Sequence, residues 1–287
     1  MTEKEILLTS ILHCSRSALY SEDWTLNNEQ EKRLFEALSL RSQGMPLQYI
    51  LGEVEFFGLV FKVDKRVLIP RPETELLVEA VIRRMKDDRR PPQNVGGRPP
   101  ELCGGRRTTD DRRRILDIGT GSGCIAVSVA KSLPRVRIDA LDVSPEALAL
   151  AKENAVKNCV DERINFIQSD LFFVFNENNA NNRLGRYDII ISNPPYVCSH
   201  DIAQLQPEVR FEPRVALDGG SDGLDFYRRL IAESARFLRK GGLLFLEIGF
   251  GQRKSIEKII ASQSALRLSE VINDYSAIER VMVLGYG

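Results

Sequence analysis

The sequence predicts an α/β protein: a mostly parallel sheet with helices on both faces, preceded by a small helical unit. Three observations carry this. From residue 115 onward short apolar runs alternate with helix-period segments, the first run ends in a turn of alternating glycines, and the first 40 or so residues read as helix. Parallel strands covered on both faces read as near-continuous apolar runs, as 187–192 and 243–248 do.

Composition bounds the rest. At 287 residues the chain exceeds one average compact domain, so a large core with a smaller attached unit is expected. Forty basic side chains balance forty acidic ones, which removes the simplest electrostatic case for nucleic-acid binding, and no stable nucleic-acid partner is expected. Cys14, Cys103, Cys124, Cys159 and Cys198 are scattered, odd in number and without a CxxC pair, so neither a disulfide framework nor a zinc site is indicated. With only His13 and His200 available, a catalytic triad or histidine-rich metal centre has little material, and no metal is expected. The opening residues carry Glu3 and Glu5 instead of a signal pattern, and no apolar run nears the roughly 20 residues that span a bilayer. A cytoplasmic protein without membrane association is the expectation.

The helical unit covers residues 1–50. Ile6, Leu7, Ile11 and Leu12 recur at helix spacing, and Leu34, Phe35 and Leu38 do so again after the capping candidates Asn27 and Asn28. Gly44 and Pro46 end it. Residues 51–85 read as a hairpin over 54–67, with Phe56, Phe57, Leu59, Phe61 and Val63 around Gly58, and then a helix over 73–85 with Leu76, Leu77, Ala80 and Val81 on one face. Residues 86–114, crowded with Arg, Asp, Pro and Gly, cannot bury enough apolar surface to offset ordering entropy and are expected to be a flexible linker. Its arginine clusters at 89–90, 106–107 and 112–114 sit among aspartates and read as solvated. Over 115–287 strands are expected at 115–118, 137–141, 164–168, 187–192 and 243–248, and helices at 125–131, 145–157 and 224–240. A helix at 254–262 and strands at 266–271 and 280–284 close the chain, and 176–186 is an Asn-rich surface insertion.

The first strand runs into Asp117-Ile118-Gly119-Thr120-Gly121-Ser122-Gly123, where alternate glycines let backbone approach a ligand at the strand's carboxyl end. The spacing is GxGxG, not the GxGxxG of a pyrophosphate cradle, and no P-loop lysine follows. Asp142 ends the next strand about 20 residues beyond the turn, where an acidic side chain can take both ribose hydroxyls. Ser144 and Pro145 already supply the cap and first position of the following helix, which frees Asp142 for a ligand. Asp170 closes the third strand, and Leu171 or Phe172 beside it can lie against an adenine face.

The fourth strand delivers Asn193-Pro194-Pro195-Tyr196 to the same edge. Two successive prolines fix their own φ angles and remove two backbone donors, so the corner presents mostly acceptors. The Asn193 side-chain oxygen and the Pro194 carbonyl can take the two N–H bonds of a planar NH2 group, with Tyr196 offering a flat face or hydroxyl beside it. A carboxamide or aromatic amine is a poor nucleophile, and no side chain has a pKa suited to deprotonating it, so positioning against a sulfonium methyl must lower the barrier. The residues alone leave glutamine and adenine open as the methyl acceptor.

With these residues in place, the chain resembles the HemK/PrmC family, the peptide chain release factor N5-glutamine methyltransferases, over essentially its whole length. Gln48-Tyr49-Ile50-Leu51-Gly52, Ile69-Pro70-Arg71-Pro72-Glu73-Thr74-Glu75 and Phe211-Glu212-Pro213-Arg214-Val215-Ala216-Leu217, followed by Gly223, add to the glycine turn and the Asn-Pro-Pro-Tyr corner. The resemblance implies a class I S-adenosylmethionine-dependent methyltransferase fold, Rossmann-like and seven-stranded with one antiparallel strand. It also implies an N-terminal helical domain that helps recognise class-1 peptide chain release factors. S-adenosyl-L-methionine would contact Gly119, Thr120, Gly121, Ser122, Gly123, Asp142, Leu171 and Asn193, with Leu171 standing where a larger aromatic residue is common. Asn193, Pro194 and Tyr196 would be catalytic, and Pro195, Phe211 and Glu212 would complete the hold on the glutamine of a Gly-Gly-Gln motif. Three rivals share parts of this pattern: a methyltransferase for a ribosomal-protein glutamine, an N6-adenine methyltransferase, and a non-catalytic binding module. The segments at 48–52 and 71–75 favour release factors, and the neutral net charge disfavours the adenine enzyme.

Overall fold

The computed structural model describes residues 2–87, 113–175, 186–263 and 265–287. The expectations for 88–112, with Cys103 and most of the arginine clusters, and for the insertion at 176–185 lie outside the described residues. The chain opens with α1 (Glu3–Leu12), α2 (Arg16–Ser21), α3 (Asn28–Ser42) and α4 (Leu47–Leu51). Thr2 with Glu5 and Asn27 with Gln30 form reciprocal capping boxes that satisfy orphan N–H groups at the starts of α1 and α3. Leu7 and Ile11 are buried, but on α3 the fully buried residue is Ala37, and Phe35 is 75% exposed. Two positions apart on a helix means nearly opposite faces, so packing Ala37 inward turns Phe35 out.

A hairpin of β1 (Glu53–Phe56) and β2 (Leu59–Lys62) follows. Phe57 and Gly58 both have φ near +60°, at 52° and 69°, the signature of a two-residue type I′ turn. The Phe57 N–H donates to Glu75 Oε1 at 2.7 Å, which ties the turn to α5 (Thr74–Asp87). Leu77, Val78, Val81 and Ile82 of α5 are buried against the main sheet.

That sheet is built from β3 (Arg113–Ile118), β4 (Val136–Asp142), β5 (Ile164–Gln168), β6 (Tyr187–Ser192), β7 (Leu238–Glu247), β8 (Leu266–Asn273) and β9 (Glu279–Tyr286). Between them run α6 (Cys124–Ser132), α7 (Pro145–Lys157), α8 (Asp225–Phe237) and α9 (Arg253–Gln263). The strand order is β5-β4-β3-β6-β7-β9-β8, all parallel except β9. The fold is that of a class I S-adenosylmethionine-dependent methyltransferase. Ile115, Ile189, Ile191, Leu243 and Phe245 face a core shared with α5, α6 and α7, while Leu116, Ile190, Leu244 and Leu246 face one shared with α8 and α9. The chain order switches direction at β3 and β6, which opens a crevice beyond their carboxyl ends.

Two of the boundaries that differ from the sequence reading have a visible cause. β3 starts at Arg113, inside the expected linker, because the arginine charges find partners across the sheet. Arg114 pairs with Asp139 at 2.7 Å and lies 4.9 Å from the centre of the Tyr187 ring, and its N–H donates to Asp188 at 2.8 Å. The helix expected over 224–240 ends at Phe237, since Leu238 is already buried in β7 opposite Tyr187. Among the described residues no helix is long and apolar enough to cross a membrane.

Candidate active site

The glycine turn leaves β3 at the switch point. The Gly119 and Thr120 N–H groups donate to the Leu141 carbonyl at 2.8 and 2.9 Å, anchoring the turn to β4. Gly119 and Gly121 have positive φ, and a Cβ at either would meet nothing within 4 Å, so both present bare backbone to open space. That space is a concave cleft beyond the strand ends, the usual form of a small-molecule site. Gly119, Gly121, Asp142, Leu171, Asn193, Pro194 and Pro195 line it. Asp142 accepts the Gly121 N–H at 2.8 Å and the Ser144 N–H at 2.9 Å, one on each oxygen. Burial raises its carboxyl above the usual range, opposed by these backbone donors. A carboxylate offers about four lone-pair sites, so acceptors remain for a diol. Bare glycine backbone beside an acceptor-rich carboxylate fits an adenosine-bearing cofactor.

Thr120, Ser122 and Gly123 do not line the cleft. Thr120 is buried and donates from Oγ1 to Asp117 at 2.6 Å, the Ser122 carbonyl accepts from Asn154 at 2.9 Å, and Gly123 begins α6 against Ala151. They shape the turn from beneath. Leu171 stands at the cleft with φ of 47°, whereas Phe172 stacks on Phe237 at 4.8 Å in the core. Asp170 lines the cleft and pairs with Arg229 at 2.9 Å.

At the end of β6, Ser192 pairs with both Ile118 and Leu246, so Asn193 emerges beside the glycine turn and the end of β7. Its Nδ2 donates to Thr74 Oγ1 at 3.2 Å. Tyr196 turns away from the cleft and packs against the core shared with α8 and α9. Burial, with the Glu247 charge nearby, pushes its hydroxyl up to about 12, so it stays protonated across the physiological range.

Residues 2–52 match the PrmC N-terminal domain and 106–208 the methyltransferase small domain. The release factor glutamine methyltransferase of Thermodesulfovibrio yellowstonii is 38% identical over 98% of this chain and 91% of that one. That of Geobacter sulfurreducens is 40% identical over 88% and 78%. The chain belongs to the release factor glutamine methyltransferases. Solved structures add the fold alone: the hMettl16 catalytic domain in complex with an RNA hairpin aligns with a TM-score of 0.57 at 17% identity, covering 92% of this chain and 84% of that one. A methyltransferase from Pyrococcus furiosus aligns at 0.51 with 16% identity, covering 91% and 100%.

The family segments flanking the site hold one another. Glu212 accepts from Arg71 Nη2 at 2.5 Å and from the Ile69 N–H at 3.2 Å, and its burial raises the carboxyl above the usual glutamate range against the pull of Arg71. So Glu212 is spent on an internal bridge, and Phe211 is 40% exposed beside Gly44; neither lines the cleft. Pro213, Val215 and Ala216 from the same loop do. Arg66, Val67, Leu68, Ser144, Ala147 and Phe226 also line it, and sequence reasoning missed them. Only Leu68, adjoining the family segment at 69–75, carried a signal.

Gly223 has a packing reason. With φ of +72°, a Cβ there would sit 2.5 Å from the Tyr196 carbonyl oxygen and 2.9 Å from Gln252 Nε2, which itself donates to that carbonyl at 3.0 Å. Gly223→Ala should cost about 2–3 kcal/mol through backbone strain and overpacking. Urea unfolding measures it, and an unchanged midpoint would show that this contact does not hold Tyr196.

Proposed function

We propose that the chain transfers the methyl group of S-adenosylmethionine to the side-chain amide nitrogen, N5, of the glutamine in the Gly-Gly-Gln motif of class-1 peptide chain release factors, serving translation termination. The observation that carries this is the inward turn of Asn193 Nδ2 toward Thr74, which directs the acceptor end of that amide to the cleft. Membership of the release factor glutamine methyltransferases selects glutamine over adenine as the group held there.

When bound, S-adenosylmethionine supplies a sulfonium methyl open to in-line attack. Asp142 would hold the ribose hydroxyls, the bare backbone at Gly119 and Gly121 would border the cofactor, and Leu171 would stand at the adenine. Asn193 Oδ1 and the Pro194 carbonyl accept the two N–H bonds of the glutamine amide, which fixes its nitrogen and moves electron density onto it. After transfer the nitrogen carries one proton too many, and Asn193 or a water takes it. Tyr196 supports the corner from behind. Exposed Tyr20 (64%) and Phe35 (75%) on the first helices offer apolar surface suited to the release factor.

Labelled methyl incorporation into release factor, ribosomal protein and duplex DNA tests the reading; label in DNA or ribosomal protein but not in release factor would sink it. Asp142→Ala should weaken cofactor binding roughly 10- to 100-fold, the loss of one or two charge-assisted hydrogen bonds. Calorimetry measures this, and an unaltered affinity removes Asp142 from the ribose.

A further inference from the structure

We infer that Glu247 and Thr74 are positioning residues that lock the polarity of the Asn193 amide, keeping its oxygen toward the cleft. The inference rests on the reading of Asn193 as an acceptor for the substrate N–H. Its ground is a buried polar row that the core does not need. Strand alternation puts Ile189 and Ile191 before Asn193, and Leu243 and Phe245 before Glu247, on the face that α5 covers. Since Ser192 pairs with Leu246, Asn193 and Glu247 lie one register step further, side by side at the carboxyl edge. Glu247 is 2% exposed and Thr74, the first residue of α5, is also 2% exposed. A buried carboxylate at the end of two apolar rows is costly where a leucine would pack.

The hydrogen bonds give that cost a use. Thr74 Oγ1 donates to Glu247 Oε2 at 2.7 Å, and Asn193 Nδ2 donates to Thr74 Oγ1 at 3.2 Å. An ionised carboxylate only accepts, so the threonine proton must point at Glu247. The threonine lone pairs then face Asn193, and only the NH2 end of the amide can meet them. Asn193 Oδ1 is left to the cleft. The Asn193 amide also favours the charged form of Glu247 directly. A neutral carboxylic acid or a glutamine at 247 can donate instead. The chain of donors then reverses, Thr74 donates to Asn193 Oδ1, and NH2 confronts the N–H groups of the substrate.

The lock is therefore tied to protonation. Facing Glu247 are Glu73 ahead of α5, Arg280 on β9, Asn193 and Tyr196 after β6, Tyr227 on α8 and Cys124 on α6. Burial dominates and raises the carboxyl to about 7; Glu73 adds to the rise, while Thr74, Arg280 and Asn193 oppose it. The charged, locking form is lost as pH falls through that value.

The test is kcat and KM for release factor across about pH 6 to 9 in the wild type, Glu247→Gln, Thr74→Val, Thr74→Ser and Asn193→Ala, with cofactor affinity by calorimetry. Glu247→Gln and Thr74→Val should lower kcat roughly 10- to 100-fold, as for a misdirected positioning group, while KM and cofactor affinity stay within about twofold. The wild type should show an acid limb in kcat near neutrality that Glu247→Gln lacks. Thr74→Ser keeps the hydroxyl and should recover most of the turnover lost in Thr74→Val. Normal turnover in Glu247→Gln and Thr74→Val with a dead Asn193→Ala would overturn the lock and leave the acceptor reading intact. Normal turnover in Asn193→Ala would instead remove the reading on which the lock rests. Thr74→Val, at a helix start, carries the test if Glu247→Gln does not fold.

Discussion

Asn193→Ala is expected to lower kcat for release factor methylation about 100- to 1,000-fold, the range seen when one preorganised polar contact to a reacting group is removed. Cofactor affinity should stay nearly constant. The asymmetry follows from what each residue touches. Asp142, Gly119 and Gly121 build the side of the cleft at the ends of β3 and β4, and none depends on the Asn193 side chain for its hydrogen bonds. Asn193 is bonded to Thr74, on the other side of the switch point. Truncation also leaves the Thr74–Glu247 pair without its third member, so some destabilisation accompanies the loss. Unfolding curves separate that from chemistry, because an enzyme still folded at the assay temperature owes its lost kcat to the missing acceptor. Single-turnover methyl transfer from labelled cofactor measures the effect, and turnover within a few-fold of wild type would take Asn193 out of the reaction.

The parts of this site that the sequence made legible are those whose chemistry is local. Alternate glycines after an apolar strand, an aspartate ending the next strand, and two prolines after an asparagine each state their geometry within a few residues, and all three reach the cleft. The faces of the turn were not legible, because Thr120 looks outward by composition and turns inward to meet Asp117, while Asn154 holds the turn through the Ser122 carbonyl. Glu212 sits in a charged loop whose local sequence gives no sign of the bridge it makes; its partner Arg71 is 141 residues away. Arg113 and Arg114 share the composition of the preceding linker, and Asp139 and Asp188, brought alongside by neighbouring strands, hold Arg114 in the sheet. Glu247 did leave a trace, one charge ending a run of Leu, Leu, Phe and Leu, but its partner Thr74 lies 173 residues back. Long-range polar pairs are what pattern reading cannot see, and here they connect the family segments to the Asn-Pro-Pro-Tyr corner.

Glu247→Gln should make the protein more stable at alkaline pH while making it a worse enzyme. Burial raises the Glu247 carboxyl from its ordinary 4.5 to about 7. The folded state thus holds this proton over a range where the unfolded chain has released it. The stability contributed by the protonated form is fully present below the unfolded value and is lost as pH rises to about 7, after which it stays lost. At about 1.4 kcal/mol for each pH unit of separation, wild type should lose about 2.5 kcal/mol relative to Glu247→Gln between about pH 5 and about pH 8. Asp117, also buried and raised to about 7, titrates in both proteins, so the difference between them isolates Glu247. Urea unfolding at the two pH values measures it. A difference that does not change with pH would mean that Glu247 is charged in both states at no cost, and the carboxylate would then need no functional reason to be there. A difference of the expected size, with kcat falling in the same variant, would show that the protein keeps a destabilising charge because that charge orients the amide beside it.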